Sequence, residues 1–340
     1  MDNKSINKEI RKVSNFSSLP IAIFIILIEI VAILYPMAIQ GLASIGLNIP
    51  TDVQYLIIYS IQYLVVAAAA IGIFYLTRKK STGLSLKNCF FKPAMSFGWT
   101  AKWIIISVAF AYLSNFISLF ISFIIETIFG VTTKPLDLNF GDSGLATFAL
   151  VLTVAVYAPI FEELLFRGTV YRNSELMGQK FAMFATGIAF GLWHMNFVQV
   201  VYASVIGVFA CFIYAKTRSI IPSMILHFII NGISAVITVC FGSMGDIANL
   251  ETYEETMKFF MENPVPMIII ELIGMAILGL IITGIVLFII EMVKHRKMLT
   301  LRKSVFNVSA IKRFAVYFTA PVTLLTYGFM IFMTIWSLVG

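Results

Sequence analysis

Long apolar runs separated by short polar segments dominate this chain from Leu19 onward. A run of roughly 20 apolar residues forms a helix long enough to cross a hydrocarbon core of about 30 Å. The pattern therefore predicts an all-α polytopic membrane bundle of eight or nine transmembrane helices. The nine candidate runs lie near residues 19–39, 54–76, 103–129, 145–161, 181–194, 198–215, 219–240, 266–290 and 314–338.

The runs at 181–194 and 198–215 allow two interpretations. Roughly 14 helical residues rise only about 21 Å, which is less than a full crossing. The two runs form either two spans or a hairpin that enters the membrane and returns. The sidedness of every other segment is the same in both cases, because two crossings are added or removed together.

Composition agrees with a membrane protein and excludes other classes. Of the 340 residues, 60% are apolar and 12% are charged, and the mean hydropathy is +0.95, so two soluble domains are excluded. The net charge of +7 is not gathered in a separate basic tail, and we expect no nucleic-acid partner. Three widely spaced cysteines provide neither a disulfide framework nor a CxxC metal site.

The first apolar run, from Leu19 to about Ile39, follows four basic residues and has the layout of a signal peptide. Its length is that of a full span, and no small-x-small cleavage site directly follows it. We therefore interpret it as a retained transmembrane helix.

The distribution of lysine and arginine predicts which helix ends face the cytoplasm. With the N-terminus inside, all but Lys134 and Lys258 of the 24 basic residues fall in inside segments, as expected for cytoplasmic loops. We expect a multi-pass protein of the cell membrane, in a bacterial plasma membrane, with its N-terminus in the cytoplasm and its C-terminus outside. The inside segments are 1–17, 77–102, 162–180, 215–220 and 292–313.

Ionisable side chains at membrane depth cost at least about 2.5 kcal/mol each, and they mark functional sites. Glu163 and Arg167 are spaced i,i+4, which predicts an ion pair along one helical face. Glu162 lies about 100° further around the helix, so we expect it to point elsewhere and to remain free for chemistry. Pro159, one turn earlier, predicts a bend in this helix.

Two later polar sites lie at a similar depth. His227 and Asn231 are again spaced i,i+4, so both could contact a single small target. His194 is the last residue of the short run at 181–194. Counting from the nearest inside turn places Glu162 and these three residues about 12 to 21 Å into the membrane. Such a set requires a hydrated cavity open to the cytoplasmic side, and its residue types are those of a hydrolytic water site.

Three short motifs on these apolar segments resemble those of a known family. EELLFR at 162–167 resembles EExxxR, FGLWH at 190–194 resembles FxxxH, and HFIIN at 227–231 resembles HxxxN of the CPBP family. This family comprises CAAX proteases and bacteriocin-processing intramembrane endopeptidases. The resemblance covers residues 145–240 and implies a helical intramembrane protease.

The resemblance also implies roles for individual residues. Glu162 would activate water together with His194, and His227 with Asn231 would stabilise the oxyanion. Glu163 is included among the catalytic residues, with Arg167 as structural support. The implied substrate is a membrane-delivered peptide or protein, cut in peptide maturation or bacteriocin immunity. The lipid bilayer is the other expected partner.

Glu162, His194 and His227 form a possible zinc set with an open fourth position. HExxH is absent from the chain, and a zinc site would still need a separate base of the kind that Glu162 provides. We therefore expect a reaction that requires no cofactor, with a divalent metal such as zinc as the alternative.

With the family motifs in place, the sequence divides into four parts. Residues 241–265 form an acidic loop, and four glutamates predict a short solvated helix in it: Glu251, Glu254, Glu255 and Glu262. The parts are N-terminal transmembrane helices at 1–140, a catalytic core at 141–240, an extracytoplasmic acidic loop at 241–265 and C-terminal transmembrane helices at 266–340.

Two other functions are compatible with polar residues at this depth. A proton-coupled transporter would use Glu29 and Glu271 as further pathway residues, although the chain shows no convincing internal duplication. A non-catalytic membrane interaction or immunity protein would retain the polar residues without needing them. A phenotype unchanged by Glu162→Ala or His227→Ala would select that second alternative.

Overall fold

The computed structural model describes residues 2–82, 84–131, 133, 143–245 and 252–338, and every regular element within these ranges is helical. Among the described residues, seven stretches are long and apolar enough to span a membrane, or eight if the bent pair Ala310–Phe318 and Pro321–Trp336 is one span. The all-α polytopic bundle predicted from the apolar pattern is confirmed. The one remaining candidate run, 181–194, is a helix of only 15 residues, Gln179–Trp193.

The helices follow one another along the chain with short connections. Their bounds are α1 Asn3–Ser44, α2 Thr51–Ser60, α3 Ala68–Thr82, α4 Phe97–Phe129, α5 Gly144–Val151, α6 Ala158–Glu163, α7 Arg172–Ser174, α8 Gln179–Trp193, α9 Phe197–Thr217, α10 Ile221–Met244, α11 Tyr253–Glu262, α12 Pro264–Lys294, α13 Ala310–Phe318 and α14 Pro321–Trp336. The stretch Gly144–Met177, which contains α5 to α7, is one continuous span that we call the motif helix.

In the described ranges, three π-helical segments interrupt the spans, and two of them flank the glutamates of the motif helix. The segments are Ile61–Ala67, Leu152–Tyr157 and Leu164–Tyr171. In the second, the N–H of Ala158 bonds to the carbonyl of Thr153, five residues earlier. The helix is therefore widened directly before Pro159, where the sequence predicted a bend. π segments of this kind occur frequently at functional sites.

The short helix α8 and the helix α9 form a tightly packed hairpin. A Cβ atom added at Gly187 would lie 2.7 Å from the backbone nitrogen of Val208, and one at Gly191 would lie 2.9 Å from that of Ser204. Small residues at such a contact let two helix backbones approach closely in a membrane. The 15 residues of α8 are thus supported along their length by a longer neighbour.

The five segments predicted to lie inside contact one another at one end of the bundle. Arg302 and Arg218 both pair with Glu175, at 3.1 and 2.5 Å. At the same end, Nδ2 of Asn173 donates to the carbonyl of Val13 at 2.8 Å. Contacts also join Arg78 to Asn173 at 2.9 Å and Lys102 to Glu291. The shared end is the one that the charge distribution predicts to be cytoplasmic.

The acidic loop contains the short helix that its glutamates predict. The helix α11 begins after Thr252, whose side chain and that of Glu255 form a reciprocal capping box, and it has no buried residues. Glu251 lies outside the described residues, as does Lys134 of the outside segments. The predicted short helix is present at Tyr253–Glu262.

The close approach of α8 and α9 gives a test of the hairpin. We expect Gly187→Ala to lower the free energy of unfolding by about 1–3 kcal/mol, because the added methyl group meets the backbone of Val208. The control is Gly279→Ala in α12, where no described atom lies within 4 Å of the added Cβ. Thermal unfolding in detergent measures both variants, and equal effects at the two glycines would contradict the packing.

Candidate active site

The charged centre of the motif helix is a fully buried ion pair. Nη1 of Arg167 lies 2.9 Å from Oε1 of Glu163, and both side chains are 0% exposed. The i,i+4 spacing predicted this pair, and the structure confirms it. Nη2 of Arg167 also donates to the carbonyl of Gly207 in α9, at 3.1 Å. The arginine therefore neutralises the glutamate and ties the motif helix to the hairpin.

His227 of α10 is placed between the two glutamates of the motif helix. Its Nδ1 lies 3.1 Å from Oε1 of Glu163, and its Nε2 lies 3.9 Å from Oε2 of Glu162. A carboxylate accepts, so the Nδ1–H donates to Glu163, and in the neutral ring Nε2 then carries the lone pair. One imidazole on a neighbouring helix therefore contacts Glu163 and faces Glu162.

Tyr63 is a site residue that sequence reasoning did not identify. Its hydroxyl donates to Oε1 of Glu162 at 2.9 Å, and its ring packs near Tyr157 and Phe161. Only 6% of the residue is exposed, and a buried tyrosine hydroxyl usually has a hydrogen-bond partner. The only signal in the sequence is a tyrosine within an apolar run, which does not indicate a partner 99 residues away.

His194 follows the last residue of α8, and its ring faces the same centre. Its Nδ1 lies 2.9 Å from the carbonyl of Phe190, which can only accept, so Nδ1 carries the hydrogen and Nε2 is free in the neutral ring. The ring of Phe190 lies against both His194 and His227. The structure therefore brings His194 to the two motifs with which it was grouped.

Phe190 holds these groups apart and in place. Its ring meets the rings of His194 and His227 edge to face, with centroids 5.2 and 5.5 Å away. The guanidinium carbon of Arg167 lies 4.7 Å from the same ring, within the range of a cation–π interaction. The first residue of the FxxxH motif is therefore the packing centre on which the polar residues rest.

Asn231 donates to a backbone carbonyl of the motif helix that Pro159 leaves without a hydrogen-bond donor. In the π segment the next carbonyl, that of Val154, would receive its hydrogen bond from residue 159, and proline has no N–H. Nδ2 of Asn231 donates to this carbonyl at 2.9 Å. The structure thus shows Asn231 on the backbone of the motif helix, whereas the spacing suggested a target shared with His227. The amide retains a second N–H that this contact does not use.

Two members of the possible zinc set, Glu162 and His227, already hydrogen-bond to other side chains. Within the described ranges, no group of three His, Cys, Asp or Glu side chains is placed to hold a metal ion. Oε1 of Glu162 is bonded to Tyr63, and His227 contributes its Nδ1 to Glu163. Oε2 of Glu162 and Nε2 of His227 take no part in these two hydrogen bonds.

The residues considered for a transport pathway lie elsewhere. Glu29 in α1 and Glu271 in α12 both have exposed side chains, so neither belongs to the buried cluster around His227. The buried charges of the motif helix are instead held by neighbours within the core.

Comparison with known proteins agrees with the motifs. Residues 144–233 match the sequence model of a family described as Rce1-like, Type II CAAX prenyl endopeptidase Rce1-like. The matched segment covers just over a quarter of the chain and contains all three motifs. It confirms the resemblance to CAAX-type membrane proteases. No curated protein and no solved structure gives a significant match to this chain.

The buried ion pair is expected to be necessary for folding. Arg167→Met should lower the free energy of unfolding by about 3–5 kcal/mol, because it leaves the carboxylate of Glu163 buried without its cation. The control is Lys258→Met, which breaks the exposed pair with Glu262 and should cost less than about 1 kcal/mol. Denaturation in detergent measures both, and comparable losses would show that the buried pair has no special role.

Proposed function

We propose that this chain, whose residues 144–233 give it the protease segment of the Rce1-like family, cuts a membrane-delivered peptide or protein by a glutamate-activated water. One observation carries this proposal. The carboxylate of Glu162 and Nε2 of His227 face each other across 3.9 Å, which is too long for a direct hydrogen bond. A water molecule can lie within hydrogen-bond distance, about 2.8 Å, of both atoms.

Glu162 is proposed as the general base. Its Oε1 is occupied by Tyr63, so Oε2 is the oxygen that faces His227 and the proposed water. The carboxylate takes a proton as the water oxygen forms a bond to the carbonyl carbon of the substrate. When the C–N bond breaks, the same proton passes to the leaving amine, so Glu162 returns to its ionised form.

The oxyanion of the tetrahedral intermediate needs fixed hydrogen-bond donors. The second N–H of Asn231 is one candidate, since its amide is already oriented by the carbonyl of Val154. Nε2 of His227 is another in the protonated ring, which Glu163 holds in position through Nδ1. We assign His194, with Nε2 free in the neutral ring, to the orientation of the attacking water.

Glu163, Arg167 and Tyr63 are proposed as positioning residues. Glu163 is 0% exposed and fixes the ring of His227, while Arg167 balances its charge. Tyr63 fixes the rotation of the Glu162 carboxylate. None of these roles requires contact with the substrate.

The proposed reaction uses no metal. Glu162 supplies the base and the donors supply the charge stabilisation, so each step has a residue that performs it. The contacts that Glu162 and His227 already make with Tyr63 and Glu163 support this scheme, because they are suited to orienting water between two side chains.

The proposed substrate reaches the site from the membrane at its cytoplasmic side. Glu162 lies ten residues before Arg172, about 15 Å along the helix, and Arg172 belongs to the end where the basic segments meet. We propose cleavage near the inner leaflet of a bacterial plasma membrane, in peptide maturation or bacteriocin immunity. The N-terminus would then be cytoplasmic.

Replacement of the base tests the mechanism. Glu162→Gln should lower kcat by about 10²–10⁴-fold, because the amide cannot take the proton of water. The assay measures cleavage of membrane-anchored reporter peptides, with and without a prenyl group, by protein in liposomes. The control Glu271→Gln makes the same change at an exposed glutamate and should retain full activity.

Two outcomes would count against the proposal. Cleavage that persists in Glu162→Gln would exclude the glutamate as base. Absence of cleavage by the unaltered protein, together with a cellular phenotype that Glu162→Gln leaves unchanged, would favour the non-catalytic interaction protein.

Tyr63 gives a second test, which separates positioning from folding. Tyr63→Phe removes one hydrogen bond to a charged group, and we expect kcat to fall roughly 10- to 100-fold with KM unchanged. Tyr157→Phe makes the same chemical change on the adjacent ring and should leave both constants unchanged. A rise in KM, or a matching loss in Tyr157→Phe, would show that Tyr63 does not act through Glu162.

A further inference from the structure

A large apolar crevice lies on the side of the α8–α9 hairpin that faces α12 and the C-terminal segment. Its volume is about 1210 Å³, which exceeds the roughly 300–1,000 Å³ of most small-molecule pockets. Apolar side chains line most of it, among them Phe184, Ile188 and Phe314. None of the residues proposed above for hydrolysis lines this crevice.

The polar part of the crevice wall carries one sign of charge. Its ionisable lining residues are Lys180, Arg302, Lys303 and Arg313, and none of the described carboxylates lines it. Within the part of the chain that the structure describes, Lys180 and Lys303 have no carboxylate within ion-pair distance, and both are exposed. These two lysines therefore present charge at the mouth of an apolar space.

Arg313 adds one buried hydrogen-bond donor, its Nε, that has no partner among the described atoms. Its Nη1 donates to the carbonyls of Phe306 and Val308, at 3.4 and 2.7 Å. Its Nε is buried and has no hydrogen-bond partner among the described atoms. An unsatisfied buried donor is costly, and an anionic oxygen would satisfy it.

The crevice wall is connected to the motif helix through the strap, which we define as residues 300–309. Gln179 and Arg302 exchange two hydrogen bonds, at 2.8 and 3.0 Å, and the N–H of Val305 donates to the carbonyl of Leu176 at 3.1 Å. The strap thus runs across the end of the helix that carries both glutamates. A molecule that fills the crevice would contact the strap directly.

We infer that this crevice binds an anionic phospholipid, with an acyl chain among its aromatic and aliphatic residues and the phosphate at Lys180 and Lys303. The apolar depth fits a chain, the cationic mouth fits a negative headgroup, and the mouth lies at the end of the bundle where the basic segments meet. Basic pockets between helices at this depth are suited to lipid headgroups. The binding does not depend on the proposed hydrolysis.

The test measures lipid retention by purified full-length protein. Native mass spectrometry counts phosphatidylglycerol and phosphatidylcholine that remain bound from an equal mixture, and thermal unfolding in detergent is followed with each lipid. We expect preferential retention of phosphatidylglycerol and a higher melting temperature with it alone. Lys180→Gln with Lys303→Gln should lower its retention on the order of tenfold.

A matched control separates this site from general surface charge. Lys87→Gln with Lys92→Gln removes the same charge from two exposed lysines of the segment 77–102 that do not line the crevice, and it should keep the retention unchanged. Equal losses in the two double variants would overturn the site. Equal retention of both lipids would do the same, and a full thermal shift with inorganic phosphate alone would show that the acyl chain has no place in the crevice.

Discussion

The rest of the core depends on the carboxylate of Glu163, because an ionised group with no exposure must be paired with a cation or a hydrogen-bond donor. Arg167 neutralises it from the same helix, and His227 donates to it from α10. Arg167 in turn donates to the backbone of α9. Three spans are thereby fixed around one charge, and a second carboxylate, Glu162, is left facing the other nitrogen of the same imidazole.

Backbone constraints place the remaining parts of the site. Gly207 offers its carbonyl to Arg167 in a region where α8 and α9 approach so closely that a Cβ at Gly207 would lie 2.8 Å from Cα of Gly187. Pro159 has a parallel effect, since the carbonyl that it leaves without a donor is the one to which Asn231 bonds. At Gly207 the missing group is a side chain, and at Pro159 it is an amide hydrogen. In both cases this absence makes the contact possible.

What could be predicted from the sequence follows the range of each interaction. Helix class, the shared end of the basic segments and the pair of Glu163 with Arg167 depend on local composition or on one helical turn, and all were predictable. Depth counting grouped His194 and His227 with the glutamates, but it gives no rotation about the helix axis. The bridging position of His227 and the contact of Tyr63 therefore required the structure, because side chains from distant spans define them.

The buried pair also bears on how the chain enters the bilayer. The ribosome synthesises Glu163 and Arg167 before Gly207 of α9 and His227 of α10. During that interval, neither α9 nor α10 is present to pair with the two charges. Because the two side chains are one helical turn apart, they cancel each other within a single segment, and that segment can leave the aqueous phase as a nearly neutral unit. Membrane insertion and the proposed activity thus depend on the same two residues.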